Sequence, residues 1–64
     1  MKDFDLLAFQ RRVTADVRFI PRYGNWECFF NVGKGADLHT EVFTGRTPRE
    51  ALARAYQARG NRHD

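Results

Sequence analysis

Cys28 and His39 are the residue types in this chain that come closest to a nucleophile and its base. A thiol attacks as its thiolate when an imidazole takes the proton, which requires both side chains on one side at hydrogen-bond distance. The alternation of residues around them puts Cys28 on a core face and His39 on the other, so a buried structural thiol is expected. A metal ion needs several donors at workable spacing. Cys28, His39, Glu41 and His63 are scattered along the chain, and no metal site is expected from them. Asp16, Glu27 and Glu41 could line one sheet face as acid–base carboxylates, but so short a chain implies no cleft around them. Glu27 is expected instead to form a cross-strand ion pair with Arg18. Gly33-Lys34-Gly35 lacks the spacing and the following helix of a phosphate-binding loop, and reads as a turn. No catalytic residue, cofactor or small-molecule substrate is inferred, and the chain reads as a non-enzyme.

The cationic residues are the other source of chemistry. Nine of the eleven are arginine, a bias that favours bidentate contact with carboxylate or phosphate and that GC-rich coding would equally produce. Arg46 and Arg49 flank the start of the last expected helix, where backbone N–H groups attract anions. Arg11, Arg12, Arg18 and Arg22 gather around the first expected strand and its turn. Eight acidic residues leave a net charge of only +3, so the field is weak for a dedicated nucleic-acid binder.

Periodicity indicates the elements that would position these groups. Residues 1–12 read as a short helix or an extended lead-in, with Asp3 or Asp5 as cap and Arg11 and Arg12 suiting the far end of the dipole. On a helical wheel Phe4, Leu7 and Ala8 share one side. From Val13 the period becomes two: Val13, Ala15, Val17 and Phe19 alternate with polar residues, as in a strand with one buried face. Pro21 ends that strand and opens a turn through Asn25. Trp26 to Val32 forms the second strand, with Trp26, Cys28 and Phe30 on the core face. Gly33 to Asp37 turns the chain into a third strand, Leu38 to Thr44, whose Val42 is assigned to the core. Thr47 caps a helix over 47–59, Pro48 takes its first position and Glu50 completes a capping box. Ala51, Leu52, Ala55, Tyr56 and Ala58 share its apolar arc. Gly60 stops it, and residues 60–64 read as a frayed tail. The expected fold is α+β, a three-stranded antiparallel meander over 13–44 with a C-terminal helix on one face (αβββα). Its core comprises Val17, Phe19, Trp26, Cys28, Phe30, Val42, Leu52, Ala55 and Tyr56.

Sixty-four residues allow one domain, which buries only about 60% of the surface its unfolded chain exposes. Nine aromatic residues supply large apolar area to such a small core. A single cysteine excludes an internal disulfide. No apolar run is long enough to cross a bilayer, and acids stand where a signal peptide carries its apolar stretch. A cytoplasmic protein with no membrane partner is expected.

The run Gly45-Arg46-Thr47-Pro48-Arg49-Glu50-Ala51-Leu52-Ala53-Arg54-Ala55 resembles the start of the helix in HicB-like antitoxin domains, with Gly45, Thr47, Glu50, Ala51 and Ala55 matching. The Gly24-Asn25-Trp26 hairpin followed by Phe30 is similar to the first hairpin of that family, although the DNA-binding segment of full antitoxins is lacking. The same run is similar to the second helix of double-stranded RNA-binding domains through Gly45, Thr47, Arg49 and Ala51, and the expected order of helix, three strands and helix fits that family too. Pro48 and Leu52 stand where that family has phosphate-binding lysines. The resemblances imply a small regulator or inhibitor of bacterial or mobile-element origin.

With Trp26, Cys28 and Phe30 turned to the core, Phe29 points outward, and the assignment of Val42 leaves Phe43 beside it. Phe29 and Phe43, with Arg18, Ile20 and Tyr23, then form an aromatic patch unless the N-terminal segment folds over it. Arg18, Glu27, Asn31 and Glu41 would be its polar rim. The expected function is docking on a protein partner or a second copy through this patch. The alternative is nucleic-acid binding through Arg46, Arg49, Arg18 and Arg22.

Overall fold

Acids in the first turn and Arg11 and Arg12 in the last favour a helix near the N-terminus, and the computed structural model, which describes residues 2–60, has one: α1, Asp3–Val13. The expected caps are corrected. Lys2 is the N-cap and no side chain caps the helix, so Asp3 and Asp5 favour it through its dipole rather than as caps. The wheel is corrected too, because Leu6 and Phe9 are the buried pair while Phe4 is 77% and Leu7 53% exposed. The ring of Phe9 decides this orientation, meeting Phe30 and Tyr56 edge-on at centroid distances of 5.6 Å each. Thr14 closes α1 in the left-handed conformation, φ 55°. The N–H of Ala15 then donates to the Gln10 carbonyl, and Gln10 Nε2 donates back to the Ala15 carbonyl. This corner turns the chain into β1 within two residues and delivers Ala15 to the core.

β1 (Asp16–Ile20), β2 (Asn25–Val32) and β3 (His39–Gly45) form an antiparallel sheet in sequence order. The architecture is α+β with the expected αβββα order. In the Pro21–Gly24 turn the N–H groups of Tyr23 and Gly24 both donate to the Ile20 carbonyl, and Gly24 takes φ 65°. A single 3₁₀ turn (Gly35–Asp37) interrupts the β2–β3 connection.

The phase of β3 differs from the sequence reading. Cys28 stands opposite Phe43, and Phe29 opposite Val42. Directly opposed residues share a face, so Phe43 belongs with Cys28 and Phe30, and Val42 belongs outside with Phe29. The cause is Gly45. Helix α2 (Pro48–Ala55) crosses the sheet there so closely that a Cβ on Gly45 would stand 2.5 Å from the Ala51 nitrogen. With Gly45 under the helix, the period of two places Phe43 and Glu41 on the helix side. Val42, 51% exposed, leaves the expected core, and so does Phe19, 46% exposed near the open edge of β1.

Thr47 caps α2 as expected, its hydroxyl accepting from the Glu50 N–H at 3.0 Å, with Pro48 at the first position. The α-helix stops at Ala55, short of the expected 59, and continues as a π-turn, Tyr56–Gly60. A π-turn is wider than an α-turn and changes the direction of the side chains it carries. Ala58 is accordingly exposed rather than in the apolar arc, and Arg59 reaches back to β3. The core joins Leu6, Phe9, Ala15, Cys28, Phe30, Ala51, Leu52 and Ala55, with Val17, Trp26, Phe43 and Tyr56 packed around them. Trp26, opposite Gly45, is half-buried beside Phe19. The tail over 61–64, with His63, lies outside the described residues.

Candidate interaction surface

Both helices pack on the side of the sheet that carries Cys28, Phe30 and Phe43, so the other side is open. There Phe29 lies between Asp16 of β1 and Val42 of β3. The guanidinium of Arg18 sits over the Phe29 ring, 4.8 Å from its centroid, and its Nη2 reaches Glu27 Oε1 at 3.3 Å. The expected Arg18–Glu27 pair is therefore present. Its partners stand directly opposite in the ladder. Ile20 lies on the same face by parity, and Thr40 donates its hydroxyl to Asn31 Oδ1 at 2.8 Å. The result is a short apolar centre, Phe29 and Val42, inside a polar ring.

Phe43 is absent from this centre. Its ring stacks on Phe30 at 6.0 Å with an interplanar angle of 14° on the helix side. Of the five residues expected to form the patch, Phe29, Arg18 and Ile20 share the open face and Phe43 does not. Tyr23 is exposed in the adjoining turn with Arg22 over its ring. Val42 is the residue the sequence reading missed; Gly45, two residues before the Thr47 cap, marks the close approach of α2 that sets the phase, but only the packed structure shows which face it serves. Glu41 also leaves the expected rim. On the helix side its Oε1 accepts from Arg59 Nε and Nη2 at 2.9 and 2.8 Å, and its Oε2 meets His39 Nε2 at 3.2 Å. Hydrogen bonding to Arg59, aided by the charges of Arg59 and His39, holds the Glu41 carboxyl below its ordinary range against a smaller desolvation effect.

Cys28 and His39 share a face, contrary to the alternation argument, because His39 pairs with Val32. Four positions of β2 still separate Cys28 from that pair, about 13 Å at the rise of a strand. Cys28 is fully buried, and burial, with Asp16 a lesser contributor, pushes its thiol up to about 11. A neutral, inaccessible thiol is a poor nucleophile. Among the described residues no group of His, Cys, Asp and Glu is arranged to hold a metal ion, and no helix is long and apolar enough to cross a membrane.

The arginines divide between surfaces. Arg49 pairs with Asp3 at 2.8 Å, joining α2 to α1 on the helix side, while Arg18 occupies the open face. Arg22 in the β1–β2 turn and Arg46 in the β3–α2 loop lie at the same end of the sheet. Arg46 borders a polar cleft of about 310 Å³ with Asn25, Thr44, Glu50 and Arg54. In that cleft Arg54 is engaged by Glu50 and by the Thr44 carbonyl. Comparison with protein-family models, curated proteins and solved structures finds no match for this chain.

Proposed function

We propose that this protein is a small non-enzymatic interaction module, a regulator or inhibitor that docks on a protein partner or on a second copy of itself. The observation that supports it is the uncovered sheet face, where Phe29 and Val42 form an apolar centre within a ring of Arg18, Glu27, Asn31, Thr40 and Thr44. An apolar centre with a polar rim is the ordinary anatomy of a protein interface. Nucleic-acid binding has less support. The element order is the one the resemblance to double-stranded RNA-binding domains implies, but Arg18 and Arg49 lie on different sides and each is neutralised by an acid.

The test is the pair Phe29→Ser, Val42→Ser, followed by circular dichroism, light scattering and pull-down. A folded protein that has lost its dimer or its captured partner is the expected result. Collapse of the fold, or capture of the partner unchanged together with a dimer that does not depend on the β1 edge, overturns the reading. A steep loss of binding to RNA or DNA with added salt would favour the nucleic-acid alternative, because phosphate contacts release counterions.

A further inference from the structure

The two edges of the sheet are unlike. On β3, Arg54 of α2 donates to the Thr44 carbonyl, so a helix side chain reaches across that edge. Among the described residues no side chain bonds to the backbone of β1 from Asp16 to Ile20. Helix α1 docks chiefly on α2 and its π-turn. Beside this free edge runs an apolar groove of about 390 Å³ lined chiefly by Leu6, Leu7, Val17 and Leu52. Phe19, on the same side, is 46% exposed. An exposed edge strand with apolar residues beside it is a template for another strand.

We propose that β1 pairs antiparallel with β1 of a second copy, joining two sheets into one of six strands with all four helices on one side. This inference goes beyond the docking reading above, since pairing at the β1 edge leaves Phe29 and Val42 of the open face uncovered. Charge selects both occupant and register. A dyad perpendicular to the sheet keeps the helix sides together, so residues facing each other across it must have the same parity. With Val17 opposite its own copy, Asp16 faces Arg18 of the second copy and Arg18 faces Asp16 of the second copy. Two opposite-charge pairs then lie on the open face. Shifting the register to centre on Arg18 sets like charges directly opposite each other. Shifting it further, to Phe19, brings Pro21 opposite Val17, and proline cannot donate to the ladder. In the favoured register Phe19 of the second copy comes opposite Ala15, beside the groove. Asp16 is exposed and has no ion-pair partner among the described residues, so the dimer gives it one.

Sedimentation velocity on the full chain is expected to show a dimer, and Asp16→Arg to convert it to monomer with an unchanged circular dichroism spectrum. Val17→Cys, oxidised with diamide, is expected to form a covalent dimer on a non-reducing gel. Arg18→Cys is expected to stay single, and both variants are made in a Cys28→Ala background, because Cys28 stands directly opposite Val17 and would close an internal disulfide with a cysteine there. A monomeric parent protein, a dimer indifferent to Asp16→Arg, or cross-linking through Arg18→Cys in place of Val17→Cys overturns the proposal. A dimer abolished by Phe29→Ser, Val42→Ser but untouched by Asp16→Arg overturns the edge pairing alone and leaves the docking reading standing. A monomeric parent that also captures no partner overturns both.

Discussion

The two sides of one strand, β2, carry phenylalanines at adjacent positions with opposite fates. Phe30 is 3% exposed, with the rings of Phe9 and Phe43 against it. Phe29 is half-buried, its cover being the guanidinium of Arg18 and the side chain of Val42 across the ladder. Identical side chains one residue apart thus do different things because two helices cross one face and none crosses the other. Burial in this sheet is set by where α2 touches it rather than by the apolar character of each strand.

Truncating both rings puts that contrast to its hardest test. Phe30→Ala removes a ring enclosed by aromatic neighbours and should cost about 3–5 kcal/mol. For a domain whose whole stability is of order 5–15 kcal/mol, that unfolds a large part of the population at moderate temperature. Phe29→Ala should cost much less, since part of its surface is already wet. Urea denaturation of the two variants checks this directly. Equal losses would mean that something covers the open face.

Gly45 comes next. A Cβ there would meet the Ala51 nitrogen at 2.5 Å and the Glu50 side chain at 2.9 Å, and backbone cannot yield as a side-chain tip can. Gly45→Ala should cost roughly 1–3 kcal/mol through overpacking. Gly24→Ala, where a Cβ meets nothing within 4 Å but φ is 65°, carries only the backbone strain. Thermal melts should therefore rank Gly45→Ala below Gly24→Ala.

Gly45 is also where the sequence was least legible. The later strands, the turns and the α2 cap were readable because each rests on local chemistry, whereas the first strand was expected from Val13 and begins only at Asp16, because α1 runs through Val13 and Thr14 turns the corner. The phase of β3 was not, because Leu38, Thr40 and Val42 look as good a core face as His39, Glu41 and Phe43. Only the close approach of α2 to a residue without a Cβ decides between them, and that is a tertiary fact. The same slip of one residue exchanged Val42 for Phe43 in the candidate surface, as a change of phase must in a pleated strand. Arg18 and Glu27 were readable as a pair because they oppose each other in the hairpin closed by the first turn. Leu6 and Phe9 were not, since α1 has apolar residues on several sides and its docking on Phe30 and Tyr56 chooses among them.

Smaller in effect is the cap that holds α2 over Gly45. Thr47→Ala removes the acceptor for the Glu50 N–H and should cost about 1 kcal/mol. Thr47→Ser, which keeps the hydroxyl, should restore most of it. Denaturant midpoints of the two variants distinguish loss of the cap from loss of the methyl group.

The weakest contribution is that of Glu41, a carboxylate placed on the helix side by the same phase that buries Phe43. Its side chain is still 24% exposed, and Arg59 holds it from the π-turn beyond α2. Because these contacts favour the ionised form, its folded pKa lies below the ordinary 4.5. An acid with a depressed folded value contributes stability that is present above its unfolded value and is lost as pH falls through the folded one. The parent protein should therefore exceed Glu41→Gln in stability near neutral pH, and the gap should close as pH drops below about 4.5. Added salt should narrow the gap at neutral pH, since a partly exposed pair is screened. Arg59→Gln should show the same pH dependence, because it removes the other half of the same contact. A gap that persists unchanged into acid would mean that Glu41 acts through packing rather than charge. Phe43, two residues on, would then hold the helix side of β3 without electrostatic help from the π-turn.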